Sequence, residues 1–347
     1  FIILSFYSAV GGWCLKYLWD ACLGNGLITD TTKLGEYFGG FVSNTVDSYG
    51  YLLLFLALTA WVVEKGVQSG IEKVAKILMP ALFILMLILI VRGVTLPGGW
   101  QGVEFLFTPR WEDFNGSALF NAMGFCFFSL SLGAGTMITY GSYLSPETDL
   151  PSSVSWVAVL AIMSAILGGL MVMPAVFAFN LDPGAGPGLT FVTMPAVFAQ
   201  MPLGQAFAVA FYACLVVAAL TSSVSMLEAC CALLEQECGL KRQKAILAVL
   251  IASALVGFAA NMSFGGWSDV KIFGKNIFDL LDYVSSNIGM PLSSFGIAIA
   301  ASWVAWKATE TELVRTRSLS PALLKTIRFL IGFCAPVFVT IVALGSL

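Results

Sequence analysis

Apolar residues run through this chain in long continuous blocks, and polar residues are concentrated in the intervals between them. A helix that crosses the hydrocarbon core of a bilayer takes about 20 mostly apolar residues. Nine blocks approach or exceed this length, at about 1–19, 47–64, 71–94, 118–144, 153–180, 205–236, 243–262, 279–306 and 323–346. A membrane β-barrel would instead alternate apolar and polar residues in segments of about ten. The pattern therefore predicts nine membrane-spanning helices.

Composition excludes several other classes of protein. The 347 residues are 59% hydrophobic and 11% charged, whereas soluble globular domains are about 45–50% apolar and about 25% charged. The chain has no histidine, and no paired carboxylates or nucleophile with a base stand out, so we expect no enzyme. We predict an all-α, polytopic, multi-pass protein of the cell (inner) membrane. The lipid bilayer is its expected partner and nucleic acid is not, while the residues indicate no oligomeric state.

Basic residues cluster in the intervals after the second, sixth and eighth blocks. These intervals, together with the first residues of the blocks that follow them, hold three, three and five Lys and Arg, eleven of the seventeen in the chain. Short membrane loops rich in Lys and Arg stay on the cytoplasmic side. The first block is therefore predicted to run outwards, and the long intervals at 20–46, 95–117, 181–204 and 263–278 are predicted to lie outside.

The fourth block carries small and polar residues at mid-membrane depth. It contains the run Phe128-Ser129-Leu130-Ser131-Leu132-Gly133-Ala134-Gly135. Glycine weakens a helix by about 1 kcal/mol relative to alanine, and serine can bond backbone groups that an unwound turn leaves free. Unwound backbone persists at that depth only where it lines a cavity or is buried in protein. Two interpretations remain: a broken helix at a binding site, and a close contact between helices through small residues.

Oxygen-bearing residues in the sixth block favour the first interpretation, a broken helix at a binding site. One helical face carries Ala218, Thr221, Ser222 and Ser225, since residues three and four apart are neighbours on a helix. Hydroxyl and carbonyl oxygens are hard ligands that suit an alkali cation better than a soft metal. Glu228 continues this face. A carboxylate at this depth is either functional or the partner of a polar group on another helix.

The third block contains a glycine and a proline, Gly70 and Pro80, with nine residues between them. Proline removes a backbone hydrogen bond, and glycine loosens the neighbouring turn. The pair fits a helix end that unwinds and also fits an ordinary kink.

Four features of the chain together resemble the neurotransmitter:sodium symporters, and within them the bacterial amino-acid transporters with the leucine-transporter fold. They are the Phe128–Gly133 run, the Leu220–Ser223 element, the Gly70 and Pro80 pair, and Tyr7 with Trp13. The resemblance extends from end to end of the chain. It implies an inverted-repeat fold in which the nine spans match the family's third to eleventh helices and the first two are missing.

This correspondence implies a single transmembrane transporter domain over 1–347. Residues 1–94 would be the remainder of the first inverted repeat, 118–306 the second repeat, and 323–346 an additional C-terminal helix. The chain begins at Phe1, already inside an apolar block. We therefore expect an N-terminally truncated fragment, and we expect transport to require the full-length protein.

The resemblance implies symport of an amino acid coupled to sodium (Na+) by alternating access. Ala134 stands where the family often has a larger residue, which favours a large apolar or aromatic substrate. One departure is the stretch Leu160–Ser164, which lacks the Asn or Asp that binds the first sodium in the family. It leaves open an amino-acid-binding membrane sensor that does not transport. The residues do not decide a chloride dependence.

The resemblance also implies roles for individual residues. Substrate-binding positions fall at Tyr7, Val10, Phe128, Ser129, Ser131, Ala134, Ser222 and Met226. The second sodium site matches Ala218 through its carbonyl, Thr221 and Ser222, and the first matches Ser129. Gating positions fall at Phe128, Asp282, Tyr143, Gly70 and Pro80.

Overall fold

The computed structural model describes residues 1–66, 71–181, 189–316 and 318–345. This part of the chain is mostly helical, which confirms the all-α prediction. The α-helices are α1 (Ile2–Leu23), α2 (Thr31–Ser43), α3 (Thr45–Glu64), α4 (Lys73–Val94), α5 (Gly99–Phe107), α6 (Gly116–Ser129), α7 (Thr136–Ser142), α8 (Leu150–Ala178), α9 (Met194–Gln200), α10 (Gly204–Cys238), α11 (Arg242–Met262), α12 (Ile277–Asp282), α13 (Met290–Ile299), α14 (Trp306–Val314), α15 (Pro321–Phe329) and α16 (Ala335–Gly345). Wider π-helical turns occupy Leu189–Thr193, Tyr283–Gly289, Ala300–Val304 and Leu330–Cys334.

The described residues of the nine predicted spans are mostly helical. Within the described ranges, seven helices are long and apolar enough to cross a membrane. Two of them join shorter helices through π-helical turns, over Ile277–Val304 and Pro321–Val342. The other two predicted spans are α1, a helix of 22 residues, and the interrupted pair α6 and α7.

Contacts divide the chain into two compact units. The first unit contains Phe1–Pro109 and Ala165–Leu281, and the second contains Arg110–Ser164 and Asp282–Leu347. The first unit thus combines helices from both predicted repeats. The repeats at 1–94 and 118–306 stay a prediction.

In the first unit, α1 packs against α3, α10 and α11. Two glycines of α1 allow it to lie close against α3. A Cβ at Gly11 would lie 2.5 Å from the ring of Phe55, and one at Gly12 would lie 2.8 Å from the backbone nitrogen of Leu52. Small residues let membrane helices pack backbone to backbone, where van der Waals contact replaces the hydrophobic effect. Side chains at these positions would push α3 away from α1.

A buried carboxylate holds α2 against the C-terminal part of α1. Asp20 is 5% exposed and forms an ion pair with Lys16, one helical turn earlier. The Tyr37 hydroxyl of α2 donates to Asp20 Oδ2 at 2.6 Å, and Lys16 Nζ donates to Tyr37 Oη at 3.1 Å. Partial burial raises the pKa of Tyr37, and its hydrogen bond to Asp20 raises it further. The hydroxyl therefore stays protonated and remains a donor at neutral pH.

Candidate functional site

The fourth predicted span is interrupted where its small residues lie. Helix α6 ends at Ser129 and α7 begins at Thr136. Between them Ser131, Gly133 and Gly135 have φ angles of 52°, 78° and 82°. Left-handed backbone is uncommon for a non-glycine residue, and it does not continue a right-handed helix. The helix is therefore broken at this run, as predicted, whereas a binding site at the break stays a prediction.

The break is packed tightly against α13 of the same unit. A Cβ at Gly133 would lie 2.2 Å from the carbonyl oxygen of Met290 and 2.6 Å from Ser294 Oγ. Both the positive φ and the lack of space therefore require glycine at this position. Ser294 Oγ is itself buried, without a hydrogen-bond partner among the described residues. The backbone N–H of Leu132 donates to the Phe127 carbonyl at 2.9 Å, which closes the last turn of α6.

The second unit contains six of the predicted site residues. At the break, Phe128 is 42% exposed and Ser129 is also exposed, whereas Ser131 and Ala134 are half-buried. The two predicted gating residues in this unit lie at helix ends. Tyr143 directly follows α7. Asp282 ends α12, and its Oδ1 accepts a hydrogen bond from Ser286 Oγ at 2.8 Å.

The predicted unwinding pair in the third span is only partly described. Gly70 lies outside the described residues. Pro80 lies inside α4, which remains helical from Lys73 to Val94. The proline therefore does not break this helix in the structure.

The hydroxyl face of α10 forms the first part of the candidate site in the first unit. Thr221 Oγ1 donates to the Ala218 carbonyl at 2.9 Å, so two of the predicted ligand oxygens lie together. Ser222 interacts through its side chain with the hydroxyl of Tyr7 on α1. Ser225 Oγ donates to the Thr221 carbonyl at 3.1 Å. The structure thus brings together Tyr7, Ser222 and the helical turn that carries Ala218 and Thr221.

A cavity of about 410 Å³ lies next to this hydroxyl face. Its walls include Tyr7, Val10 and Cys14 of α1 and Leu215, Ala218 and Ala219 of α10. Three predicted residues, Tyr7, Val10 and Ala218, therefore line one cavity. Met226 instead packs, partly buried, against the core of this unit.

Aromatic rings form most of the remaining cavity wall, together with Thr190 and Asp279. Trp13, which is 3% exposed, lies edge-on to Phe38 and Phe264, each with ring centroids 5.4 Å from its own. It also stacks on Phe278 at 6.0 Å. The Trp13 indole N–H is buried without a partner in the described part of the chain. A bound polar group or water can satisfy such a donor.

Sequence reasoning missed several residues of this wall. Cys14 follows Tyr7 and Val10 at helical spacing, so the periodicity of α1 carried a signal for it. Phe38, Phe191, Phe264, Phe278 and Asp279 also line the cavity. These five come from short helices and loops, where periodicity predicts no shared face.

Glu228 has a basic partner that the sequence did not identify. Its side chain is fully buried, and Oε2 lies 2.6 Å from Arg242 Nη2 at the start of α11. Arg242 Nη1 donates to Glu228 Oε1 at 3.4 Å, and Nη2 donates to the Val63 carbonyl at 2.7 Å. Glu235 lies 3.3 Å from the same guanidinium. This arrangement supports the structural alternative for Glu228, since the polar group on another helix is now identified.

These features are typical of a multi-pass membrane transporter. Several helices are apolar and long enough to cross a bilayer. The second unit contains a helix break, and the first unit contains a hydroxyl-bearing helix beside a cavity. The model of the sodium:neurotransmitter symporter family matches residues 41–347. The chain belongs to this family.

Individual relatives agree with this assignment. The chain is 36% identical over 349 residues to an uncharacterized sodium-dependent transporter, YhdH, of Bacillus subtilis (strain 168), with 99% of this chain and 77% of that protein covered. It is 34% identical over 322 residues to an uncharacterized sodium-dependent transporter of Haemophilus influenzae, covering 91% of this chain and 70% of the relative. The crystal structure of MhsT in complex with L-phenylalanine superposes with a TM-score of 0.90 at 37% identity, covering 100% of this chain and 78% of that chain. This likeness confirms the predicted leucine-transporter-type fold.

Proposed function

We propose that the protein carries an amino acid together with sodium across the cytoplasmic membrane by alternating access. The observation that carries the proposal is the pairing of the α10 hydroxyl face with Tyr7 beside a cavity. The names of the bacterial relatives, which are called sodium-dependent transporters, support sodium as the coupled ion.

The proposed second sodium site uses the carbonyl of Ala218 and the hydroxyls of Thr221 and Ser222. The 2.9 Å bond between Thr221 Oγ1 and the Ala218 carbonyl supports this site, because two hard oxygens that lie so close together can share one cation. On binding, the hydroxyl proton turns away and both oxygens present lone pairs to the ion. A first sodium at Ser129 stays part of the proposal, without the Asn or Asp that the family has on its seventh helix.

Tyr7 is the proposed partner of the substrate carboxylate. An amino acid is a zwitterion, so burial within the membrane requires hydrogen-bonding partners at both of its charged ends. The phenol can donate to the carboxylate, and Val10 and Met226 are proposed to contact the apolar side chain. Helix ends at a break are suited to charged groups, which supports a role for Ser131 in binding the substrate. Phe128 is proposed to cover the substrate as an aromatic lid.

A large apolar or aromatic side chain is the proposed specificity. Ala134, half-buried beside the break, takes less volume than the larger residues frequent in the family. The structural relative MhsT was crystallised with L-phenylalanine, which supports the same substrate class. Asp282, Tyr143, Gly70 and Pro80 are proposed to take part in gating.

Sodium coupling supplies the driving force for accumulation. One charge moving across 100 mV is worth about 2.3 kcal/mol. At about 1.36 kcal/mol per tenfold, this corresponds to a concentration ratio of about 50. Reciprocal coupling between ion and substrate follows if each stabilises the conformation that the other binds.

The sodium site is tested with the double variant Thr221→Ala/Ser222→Ala in proteoliposomes of the full-length protein. A hydrogen bond or ligand contact to a charged group is worth at least about 1.5 kcal/mol, so we expect the sodium concentration for half-maximal uptake to rise tenfold or more. Ser223→Ala is the matched control, because Ser223 Oγ bonds Thr59 Oγ1 at 2.8 Å instead. An unchanged sodium requirement in the double variant would contradict the site.

Substrate class is tested by thermal shift with each of the twenty amino acids, with and without sodium. Stabilisation by phenylalanine, tryptophan or leucine that depends on sodium is expected, since a ligand bound only to the folded state raises its stability. Stabilisation by glycine or alanine alone would contradict the proposed specificity. Sodium-dependent binding without uptake in proteoliposomes would favour the sensor.

A further inference from the structure

The second unit contains a separate groove at the ends of α13 and α15. It has a volume of about 310 Å³ and is lined by Ser302, Trp303, Lys325, Arg328, Phe329, Gly332 and Phe333. These residues flank the interval after the eighth span, which the distribution of basic residues places on the cytoplasmic side. We therefore expect the groove to lie where the hydrocarbon core meets the cytoplasmic headgroups.

The floor of the groove depends on a close approach of two π-helical turns. Trp303 Nε1 donates to the Gly332 carbonyl at 3.0 Å. A Cβ at Gly332 would lie 2.9 Å from Ser302 Oγ and 3.0 Å from Trp303 Nε1. Glycine thus lets the indole lie against the opposing backbone, which fixes one wall.

Arg328 is held in place with its terminal nitrogens available. Its Nε donates to the Ser302 carbonyl at 3.2 Å, and its guanidinium carbon lies 5.2 Å from the Trp306 ring centroid. Lys325 is one helical turn earlier on the same face of α15. No ion pair to either cation occurs among the residues that the structure describes, whereas nearby Arg315 is paired with Glu312 at 3.0 Å.

Exposed aromatic side chains continue the groove away from the two cations. Trp303 is 68% exposed, and Phe329 and Phe333 are each 57% exposed. The two phenylalanine rings stack with centroids 5.5 Å apart. In a multi-pass membrane protein, exposed rings beside basic residues are typical of the interface between headgroups and acyl chains.

We propose that this groove binds one anionic phospholipid of the cytoplasmic leaflet. Lys325 and the terminal nitrogens of Arg328 contact the phosphate, and the rings of Trp303, Phe329 and Phe333 contact the adjoining acyl chain. Two cations without a carboxylate partner favour an anionic lipid over a zwitterionic one. A juxtamembrane cation strengthens such binding about fivefold. The site is independent of the proposed sodium and substrate positions.

Native mass spectrometry of the full-length protein in neutral detergent tests the proposal. Phosphatidylglycerol and phosphatidylcholine of the same chain length are titrated separately. We expect one phosphatidylglycerol to bind at least tenfold more tightly than phosphatidylcholine. Lys325→Gln/Arg328→Gln should remove this preference. Lys307→Gln/Arg315→Gln removes the same amount of charge from neighbouring positions outside the groove and should retain the preference.

Three results would overturn the proposal: an equal affinity of the wild type for both lipids, an equal loss in the two double variants, or displacement of the lipid by millimolar inorganic phosphate. The last would assign the groove to free phosphate. The single variant Lys325→Gln is a test that misfolding should not confound, because Lys325 is exposed and makes no ion pair in the described part of the chain. It should weaken phosphatidylglycerol binding about fivefold without lowering thermal stability.

Discussion

Replacing Arg242 with alanine removes the guanidinium that compensates a fully buried carboxylate. Glu228 is 0% exposed at its side chain and Arg242 is 26% exposed, with 2.6 Å between Oε2 and Nη2. Removal of one partner from a buried ion pair costs about 3–5 kcal/mol, because the remaining charge loses its compensation. Water partly screens a guanidinium that is one quarter exposed. We therefore expect a loss near the lower end, about 3 kcal/mol.

Two further variants separate the buried charge from other effects of the substitution. Glu228→Gln/Arg242→Ala removes the carboxylate charge as well, so it should be more stable than Arg242→Ala alone. Arg315→Ala breaks a pair of similar length, 3.0 Å to Glu312, whose side chains are 45% and 56% exposed. An exposed pair contributes at most about 1 kcal/mol, so this control should unfold almost as the wild type does.

The assay is unfolding in mixed micelles with increasing dodecyl sulfate, followed by tryptophan fluorescence. Midpoints and slopes for the wild type and the three variants give the differences in free energy of unfolding. The reasoning is refuted if Arg242→Ala is no less stable than Arg315→Ala. It is also refuted if removing the Glu228 charge restores no stability to the Arg242→Ala background.

Glycine substitutions test the packing on which both units depend. Gly12→Ala places a Cβ 2.8 Å from the Leu52 backbone and should cost about 1–3 kcal/mol in the same unfolding assay. A Cβ at Gly50 would have no neighbour within 4 Å, so the control Gly50→Ala should be neutral or stabilising by up to about 1 kcal/mol. An equal loss of stability in the two variants would contradict the close approach of α1 to α3. Gly133→Ala, whose Cβ would lie 2.2 Å from the Met290 carbonyl, should abolish uptake, and wild-type uptake would contradict the requirement for glycine.

Helical spans and the position of the break could be predicted from the sequence. A span requires only a run of apolar residues of bilayer length, which is a local property. The break is also local, since Ser131, Gly133 and Gly135 lie within five residues of one another. The hydroxyl face of α10 follows from helical periodicity, and the structure places it beside Tyr7.

Contacts between distant segments could not be predicted in the same way. Arg242 meets Glu228 only because the chain reverses between α10 and α11. Phe38 meets Trp13 only because α2 folds back over α1. Neither partner has a local pattern that indicates the other, and both pairings follow from tertiary packing. The division into two contact units also differs from the repeat boundaries, since packing joins helices from both repeats.

Uptake by the full-length protein in proteoliposomes tests the central claim most directly. Labelled phenylalanine is supplied outside, with an inward gradient of sodium or an equal gradient of choline. The account predicts accumulation above the external concentration with sodium and only slow equilibration with choline. Equal accumulation in the two salts would contradict sodium-coupled transport.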